Sequence, residues 1–325
     1  MCYSAQVYAD WKKYSRMFGA KMSVGEFYRT FWQRDNEPAA RVKIPKAMEL
    51  AFSAPATDDE RRIKQLIDLY NAAEATRIEQ ELFKQRARLV AAERVLAGGK
   101  PTKKATDDQR IATDKIAKAQ RGLIDLRRTV VEPRDERIFP GVWCPVMVVE
   151  NGELVVMPMR YQCRPAGKPA FYDTKYPGTY NARRDNLEGP MWRDVFGYSH
   201  GIVLASAFYE HVPRHKAEGR ELAPGEAEED MILEFKPNGL DEMLVACIWS
   251  RWRSSGEDDL LSFAAVTDEP PPEVAAAGHD RCIIPIKREN VDAWLRPDRG
   301  NLAAQYAILD DRERPYYEHR LAMAA

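Results

Sequence analysis

Cysteine at position 2, directly after the initiator methionine, offers chemistry that an internal cysteine does not. A small residue at this position permits removal of Met1, and the freed chain end then carries an α-amine and a thiol on one residue. Such amines titrate near about pH 8 and thiols near about 8.5, so useful fractions of both nucleophiles exist around neutrality. An aldehyde is the natural target: the amine condenses to a Schiff base, and the thiol closes a five-membered thiazolidine. Three other segments carry residues fit to assist. Asn181, in Tyr180-Asn181-Ala182-Arg183-Arg184-Asp185, offers a neutral donor and acceptor beside arginines suited to a phosphate or carboxylate. Glu210 ends the apolar run Ala205-Ser206-Ala207-Phe208-Tyr209, where burial would raise its pKa and equip it as a general acid/base. His279, in Gly278-His279-Asp280-Arg281, stands at a loop–strand junction ahead of Cys282. Taken singly, each has an ordinary structural explanation as a turn residue, a surface ion pair and a satisfied histidine.

Three stretches of different texture must position these residues. Residues 1–55 mix aromatic and basic side chains, with a helix expected over Val24–Gln33. Residues 57–131 form an inserted helical hairpin. Ile63, Leu66, Ile67, Tyr70, Ala73, Ile78, Leu82, Leu89 and Leu96 keep the rhythm of one amphipathic helix. Thr57 and Glu60 have capping-box spacing at its start, Gly98-Gly99-Lys100-Pro101 breaks it, and a second helix follows from about Asp107. From Ile138 onward the pattern turns to short β-type runs: Val142–Val149, Leu154–Pro158, Gly201–Phe208, Met231–Phe235, Leu244–Ser250, Leu261–Val266 and Cys282–Ile286. The expected fold is therefore α+β, a β-barrel or sandwich-like core of mixed or antiparallel sheet with flanking helices and the inserted hairpin. Residues 1–325 read as one domain, with 296–325 as a C-terminal extension.

Composition narrows the setting. The 325 residues are 30% charged and 45% hydrophobic with a formal net charge of −1, so any nucleic-acid contact must come from a local basic face. No apolar run approaches membrane-spanning length and the first residues lack a secretory signal, which implies a cytoplasmic protein with no membrane partner. Five scattered cysteines without a CxxC pair imply reduced thiols, no metal site and no cofactor. The central segment interleaves Arg160, Arg164, Lys168, Lys175, Arg183, Arg184 and Arg193 with Tyr161, Phe171, Tyr172, Tyr176 and Tyr180, a pattern suited to single strands. Trp143 and Trp192 read as core residues. Between Arg77 and Arg128 the hairpin holds 14 Lys/Arg against 7 Asp/Glu, which fits either a solvated charged face or an arm for DNA or a protein partner.

The order of Met1-Cys2, Asn181-Ala182-Arg183-Arg184-Asp185, Ala207-Phe208-Tyr209-Glu210 and His279-Asp280-Arg281-Cys282 with Pro285 resembles the SOS response-associated peptidase (SRAP) family. Its members are abasic-site processing proteins that crosslink to single-stranded DNA. The likeness is loose over residues 1–55 and good over about 138–295, including Leu261–Thr267. This chain departs from the family at Tyr3-Ser4, where Gly-Arg is usual and would supply a phosphate ligand near the nucleophile. Ala207, Asp185 and Cys282 stand where Gly, Glu and Met are common, Phe139-Pro140-Gly141 and Arg160-Tyr161 replace two further tracts, and the hairpin interrupts the compact domain.

The resemblance implies Cys2, Asn181, Glu210 and His279 as catalytic residues and self-removal of Met1 as the peptidase activity. Glu210 would move protons during ring opening and imine formation, His279 would act as a second acid/base, and Asn181 would hold the N-terminal residue or the sugar. Arg160, Arg183, Arg184, Arg281 and Tyr161 would contact DNA. Because β-elimination proceeds from the same imine, lyase activity at abasic sites is a further expectation. The protein would act as a monomer, nucleoid-associated when bound to DNA, with the hairpin open to a protein partner. Two rivals belong to other classes. An N-terminal-nucleophile hydrolase of the glutamine amidotransferase type would need an early Arg/His-rich glutamine-binding segment, whereas all five histidines lie at 200 or beyond. A non-catalytic DNA-binding scaffold would have no need to keep all four chemical residues.

Overall fold

A computed structural model of the chain describes residues 3–37, 41–99, 101–254 and 256–322. The chain divides into two compact units, residues 52–131 and the remainder.

The larger unit is built on strands β1 (Ser4–Val7), β2 (Lys21–Met22), β3 (Arg137–Ile138), β4 (Trp143–Glu150), β5 (Glu153–Tyr161) and β6 (Asn181–Arg183), followed by β7 (His200–Pro213), β8 (Asp230–Pro237), β9 (Met243–Ser254), β10 (Glu257–Asp268), β11 (Cys282–Ile283) and β12 (Tyr317–Leu321). Five of them close a ring. β4 pairs antiparallel with β5 and β7, β7 with β9, and β9 with β10, and β10 returns to β5 through a short parallel seam at Ser262–Arg160 and Phe263–Tyr161. The alternating side chains of a closed ring fill its interior, and Val146, Met157, Val203, Val245 and Phe263 form that filling here. The α+β reading with a barrel core is correct. Trp143 and Trp192 are both buried.

Strand lengths follow the apolar runs but overshoot them. β7 extends past Phe208 because its two halves have different partners: His200–Ala205 face β9, and Phe208–Pro213 face β8. Gly201 permits β7 to cross tightly, since a Cβ there would lie 3.0 Å from both Cys247 Sγ and Val146 Cγ1. β1 lies antiparallel on the other edge of β7 with Ser4 opposite Tyr209, while β12 extends the sheet beyond β8. No periodicity announces β1, β6 or β12, because each is short and gains its hydrogen bonds only from distant partners.

Helices α1 (Trp11–Phe18), α2 (Val24–Asn36), α3 (Lys46–Leu50), α6 (Tyr172–Lys175), α7 (Arg214–Ala217), α8 (Pro272–Ala276), α9 (Val291–Leu295) and α10 (Leu302–Asp310) belong to this unit, and α4 (Asp58–Ala97) and α5 (Lys103–Arg127) form the other. Thr57 accepts from the Glu60 amide at 3.1 Å, and Glu60 reaches back to the Ala56 amide at 3.2 Å, so the cap read from the sequence is made one residue wider. α5 begins at Lys103 rather than about Asp107, because Thr102 caps it through the Ala105 amide. Among the described residues no helix is long and apolar enough to cross a membrane.

Candidate active site

The polar residues of interest gather where β7 leaves the barrel. Glu210 sits in the second half of β7 opposite Leu233 and is fully buried. A carboxylate in such a place needs a partner, because an isolated buried charge costs several kcal/mol. His279 supplies it, with Nε2 at 3.1 Å from Glu210 Oε2. The histidine is held by its own loop. α8 starts at Pro272, which has no amide hydrogen to lose at a first turn, and ends in the left-handed Gly278. A Cβ on Gly278 would fall 2.9 Å from Lys216 Cβ, so both the conformation and the space demand glycine.

The tautomer follows from the second ring nitrogen. Nδ1 lies 2.8 Å from the Arg281 carbonyl and 3.3 Å from its amide, and the shorter contact requires a hydrogen on Nδ1. Nε2 and Glu210 Oε2 must then share a further proton, since two lone pairs would otherwise face each other. Burial holds the imidazole below its ordinary pKa, opposed by the Arg281 carbonyl. A proton poised between a carboxyl and an imidazole is the equipment of general acid–base catalysis. On its outer side His279 borders an open depression of about 520 Å³, lined also by Lys216, Glu269, Pro270, Ala275, Gly278 and Asp280.

Asn181 opens β6, is 6% exposed, and is set by a turn in which its amide donates to the Gly178 carbonyl. β6 runs parallel to β10 at Ala265–Thr267, and β11 flanks the same end of β10 from the opposite edge at Thr267–Asp268. That topology brings the Asn181 and His279 segments together. Arg183 feels the charge of Asp280, and Arg281 lowers the pKa of Asp185 behind the main contribution of Arg183. Tyr3 ties in the third segment, its ring centroid lying 5.4 Å from His211, next to Glu210, and 6.4 Å from Tyr180, next to Asn181. Cys2 lies outside the described residues.

The expected DNA contacts separate. Arg183 is exposed and paired with Asp185 at 2.5 Å, at the rim beside the half-exposed Arg281. Arg184 is turned to Asp310 at 2.5 Å. Arg160 is drawn inward to Asp173 at 2.8 Å, together with Arg164. Tyr161 differs most from expectation. It is 3% exposed and stacked on Phe263 at 5.2 Å, because it ends the seam that closes the barrel, so its face is not offered to a base. One residue at the site escaped the sequence reading altogether. Buried Arg137 donates from Nε and Nη2 to Ser4 Oγ at 3.3 and 3.2 Å, and its guanidinium lies 3.8 Å over the Tyr209 ring. An arginine in a charged loop carries no sequence signal for this.

Among the described residues no cluster of His, Cys, Asp and Glu could hold a metal ion. Cys144, Cys163, Cys247 and Cys282 are free and buried. Burial pushes the Cys163 thiol up to about 12 and raises the other three well above the usual thiol range, so all four are poor nucleophiles.

The barrel rim thus holds a buried carboxyl–imidazole pair on the strand that β1 flanks. The family model for SOS response associated peptidase (SRAP) matches residues 106–323, and the chain belongs to that family. Membership carries an SOS-associated role in abasic-site processing. No curated protein sequence matches the chain. Similar solved structures include a protein from Bordetella bronchiseptica, 15% identical with a TM-score of 0.46, where the match covers 58% of this chain and 88% of that one. A phage-related protein from the same organism is 19% identical, with coverage of 61% and 86% and a TM-score of 0.43. A protein from Bacteroides thetaiotaomicron is 14% identical, with coverage of 54% and 72% and a TM-score of 0.41.

Proposed function

We propose that Cys2, freed by self-removal of Met1, captures the aldehyde of a ring-opened abasic site in single-stranded DNA. The amine adds to C1′ to give a carbinolamine, and loss of water gives the imine. The thiol then adds across the C=N bond, forming S–C1′ while nitrogen takes the proton, so the net change is one released water. Glu210 and His279 hold the proton that ring opening and dehydration must move, and Asn181 orients the amine or the sugar. Arg183 and Arg281, at the rim, are the arginines best placed for flanking phosphates. Cleavage by β-elimination from the imine is a branch of the same chemistry.

The observation that carries this reading is the Glu210–His279 pair, 3.1 Å apart at zero and 9% exposure, beside Tyr3. Hydrolysis of a glutamine side chain would not call for a buried carboxyl at this point. The high pKa values of the four described cysteines also favour Cys2 as the reacting thiol. Mass spectrometry after incubation with an abasic oligonucleotide tests it. The expected adduct has the mass of the chain without Met1 plus the DNA less one water. It is retained in Cys247→Ser and lost as a thiazolidine in Cys2→Ser. An adduct that persists unchanged in Cys2→Ala would overturn the proposal.

A further inference from the structure

Arg137 is set apart from the other arginines by what it lacks. Its residue is 9% exposed, as deeply placed as Arg34, Arg160, Arg164 and Arg312, whose side chains are 6–12% exposed and each meet a carboxylate. Arg137 meets none within ion-pair reach among the described residues. Its only hydrogen-bond acceptor there is the neutral hydroxyl of Ser4, shared by Nε and Nη2, and the second terminal nitrogen has none. Two aromatic rings flank the cation, Tyr209 at 3.8 Å and Phe139 at 5.1 Å. The nearby carboxylate Glu234 is already engaged by Arg320 and by the Tyr209 hydroxyl. Cation–π contact offsets only part of the cost of burying a guanidinium. A charge left this way, with the outer end of its fork open, is arranged to receive an anion.

Its location decides which anion. Ser4 and Tyr209 face each other across β1 and β7, and Glu210 follows directly. Tyr3, against Phe139 and His211, completes the aromatic wall. This is the stretch where Tyr3-Ser4 supplies no side-chain cation of its own. We propose that Arg137, steered by the Ser4 hydroxyl, is the anion subsite of this centre and takes the non-bridging oxygens of a phosphodiester next to the reacting sugar. The proposal rests on the reading of the site as one for abasic DNA. It makes Ser4 more than a spacer, since the residue two places from the nucleophile orients the group that grips the strand.

The test compares two aldehydes that differ in phosphate: an abasic single-stranded oligonucleotide and free 2-deoxyribose in its open-chain form. Arg137→Met is expected to slow capture of the oligonucleotide at least tenfold at low salt while leaving the 2-deoxyribose rate within twofold. Its rate should also depend less on salt, the log–log slope shrinking by about 0.7 when one single-strand phosphate is no longer neutralised. Arg137→Lys, which keeps the charge without the fork, should slow capture about threefold on the oligonucleotide alone and serves if the methionine variant fails to fold. Equal losses on both aldehydes would mean that Arg137 only braces β1, and no loss on either would remove it from the site; both overturn the proposal. Should the wild-type chain form no adduct, the capture reading fails by itself. Anisotropy with an intact oligonucleotide then still decides the phosphate interaction, which an unchanged salt slope in Arg137→Met, or in Arg137→Gln if the methionine variant fails to fold, would refute.

Discussion

The rim of the barrel and the helical hairpin use polar residues in opposite ways. At the rim Ser4, Arg137, Asn181, Glu210 and His279 are all buried, each in a position fixed by strands far apart in sequence. In the hairpin the buried positions are mostly apolar, with Ala92, Ala105, Ala112 and Ala119 among them, and apart from the capping Glu60 and the amide of Gln85 the polar and charged side chains stay outside. Arg88–Asp108 at 2.5 Å and Arg127–Glu79 at 2.8 Å cross between the helices at partly or fully exposed positions, where such pairs contribute about 0–1 kcal/mol. Phe83 and Ile124 remain 78% and 71% exposed. The difference is energetic. Buried polar groups are costly and held in one geometry, which chemistry requires, whereas the hairpin is assembled from weak interactions that can break one at a time.

The sharpest way to break this contrast is to remove the shared proton and leave the shape. Glu210→Gln keeps volume and hydrogen-bonding capacity but cannot move a proton to His279. A positioned general acid–base contributes roughly 10²–10⁴-fold, so adduct formation should slow at least a hundredfold while affinity for an intact oligonucleotide stays the same. A rate within threefold of wild type would show that the pair is structural only.

A second test sets the Glu210–His279 pair against a histidine buried away from it. His200 accepts the Gly197 amide on Nε2 at 2.9 Å, so Nδ1 donates to the Trp294 carbonyl at 3.0 Å. Burial pushes its pKa down to about 3. Below its unfolded value of about 6.5 the unfolded chain binds a proton that the folded chain refuses, so stability falls with acidity by up to about 1.4 kcal/mol per pH unit. All seven tryptophans lie in the larger unit, which lets their fluorescence report its unfolding separately. Urea midpoints from pH 7.5 to 4.5 should fall more steeply for the wild type than for His200→Gln. Parallel curves would contradict the assignment.

What is legible in the sequence divides along the same line. The hairpin is readable almost to its ends, because helix periodicity, caps and glycine breaks are local signals. The β-rich half is readable from its short apolar runs, which leave a barrel and a sandwich-like core equally open. Asn181, Glu210 and His279 stand out through their order in the chain. The rest depends on pairing at a distance: the β5–β10 seam that buries Tyr161, the β1–β7 register that sets Ser4 beside Tyr209, and the Arg137–Ser4 hydrogen bonds across 133 residues of chain. Arg160 is misread for the same reason, since nothing in its neighbourhood announces that Asp173 folds back upon it.

The smallest effect is the most local one. Thr57→Ala removes the hydroxyl that accepts the Glu60 amide at the start of α4 and should cost about 1 kcal/mol, the usual value of such a cap. If the hairpin is held by separable interactions, that loss stays where it is made. Hydrogen exchange should then quicken about fivefold at amides in the first turns of α4, while amides of α5 and of β4, β7 and β9 keep their wild-type rates. The reverse is expected at the rim, where Glu210→Gln alters a pair buried among several strands. Should Thr57→Ala quicken exchange evenly through both units, the hairpin would be part of one cooperative structure with the barrel, and the contrast between them would be one of composition alone.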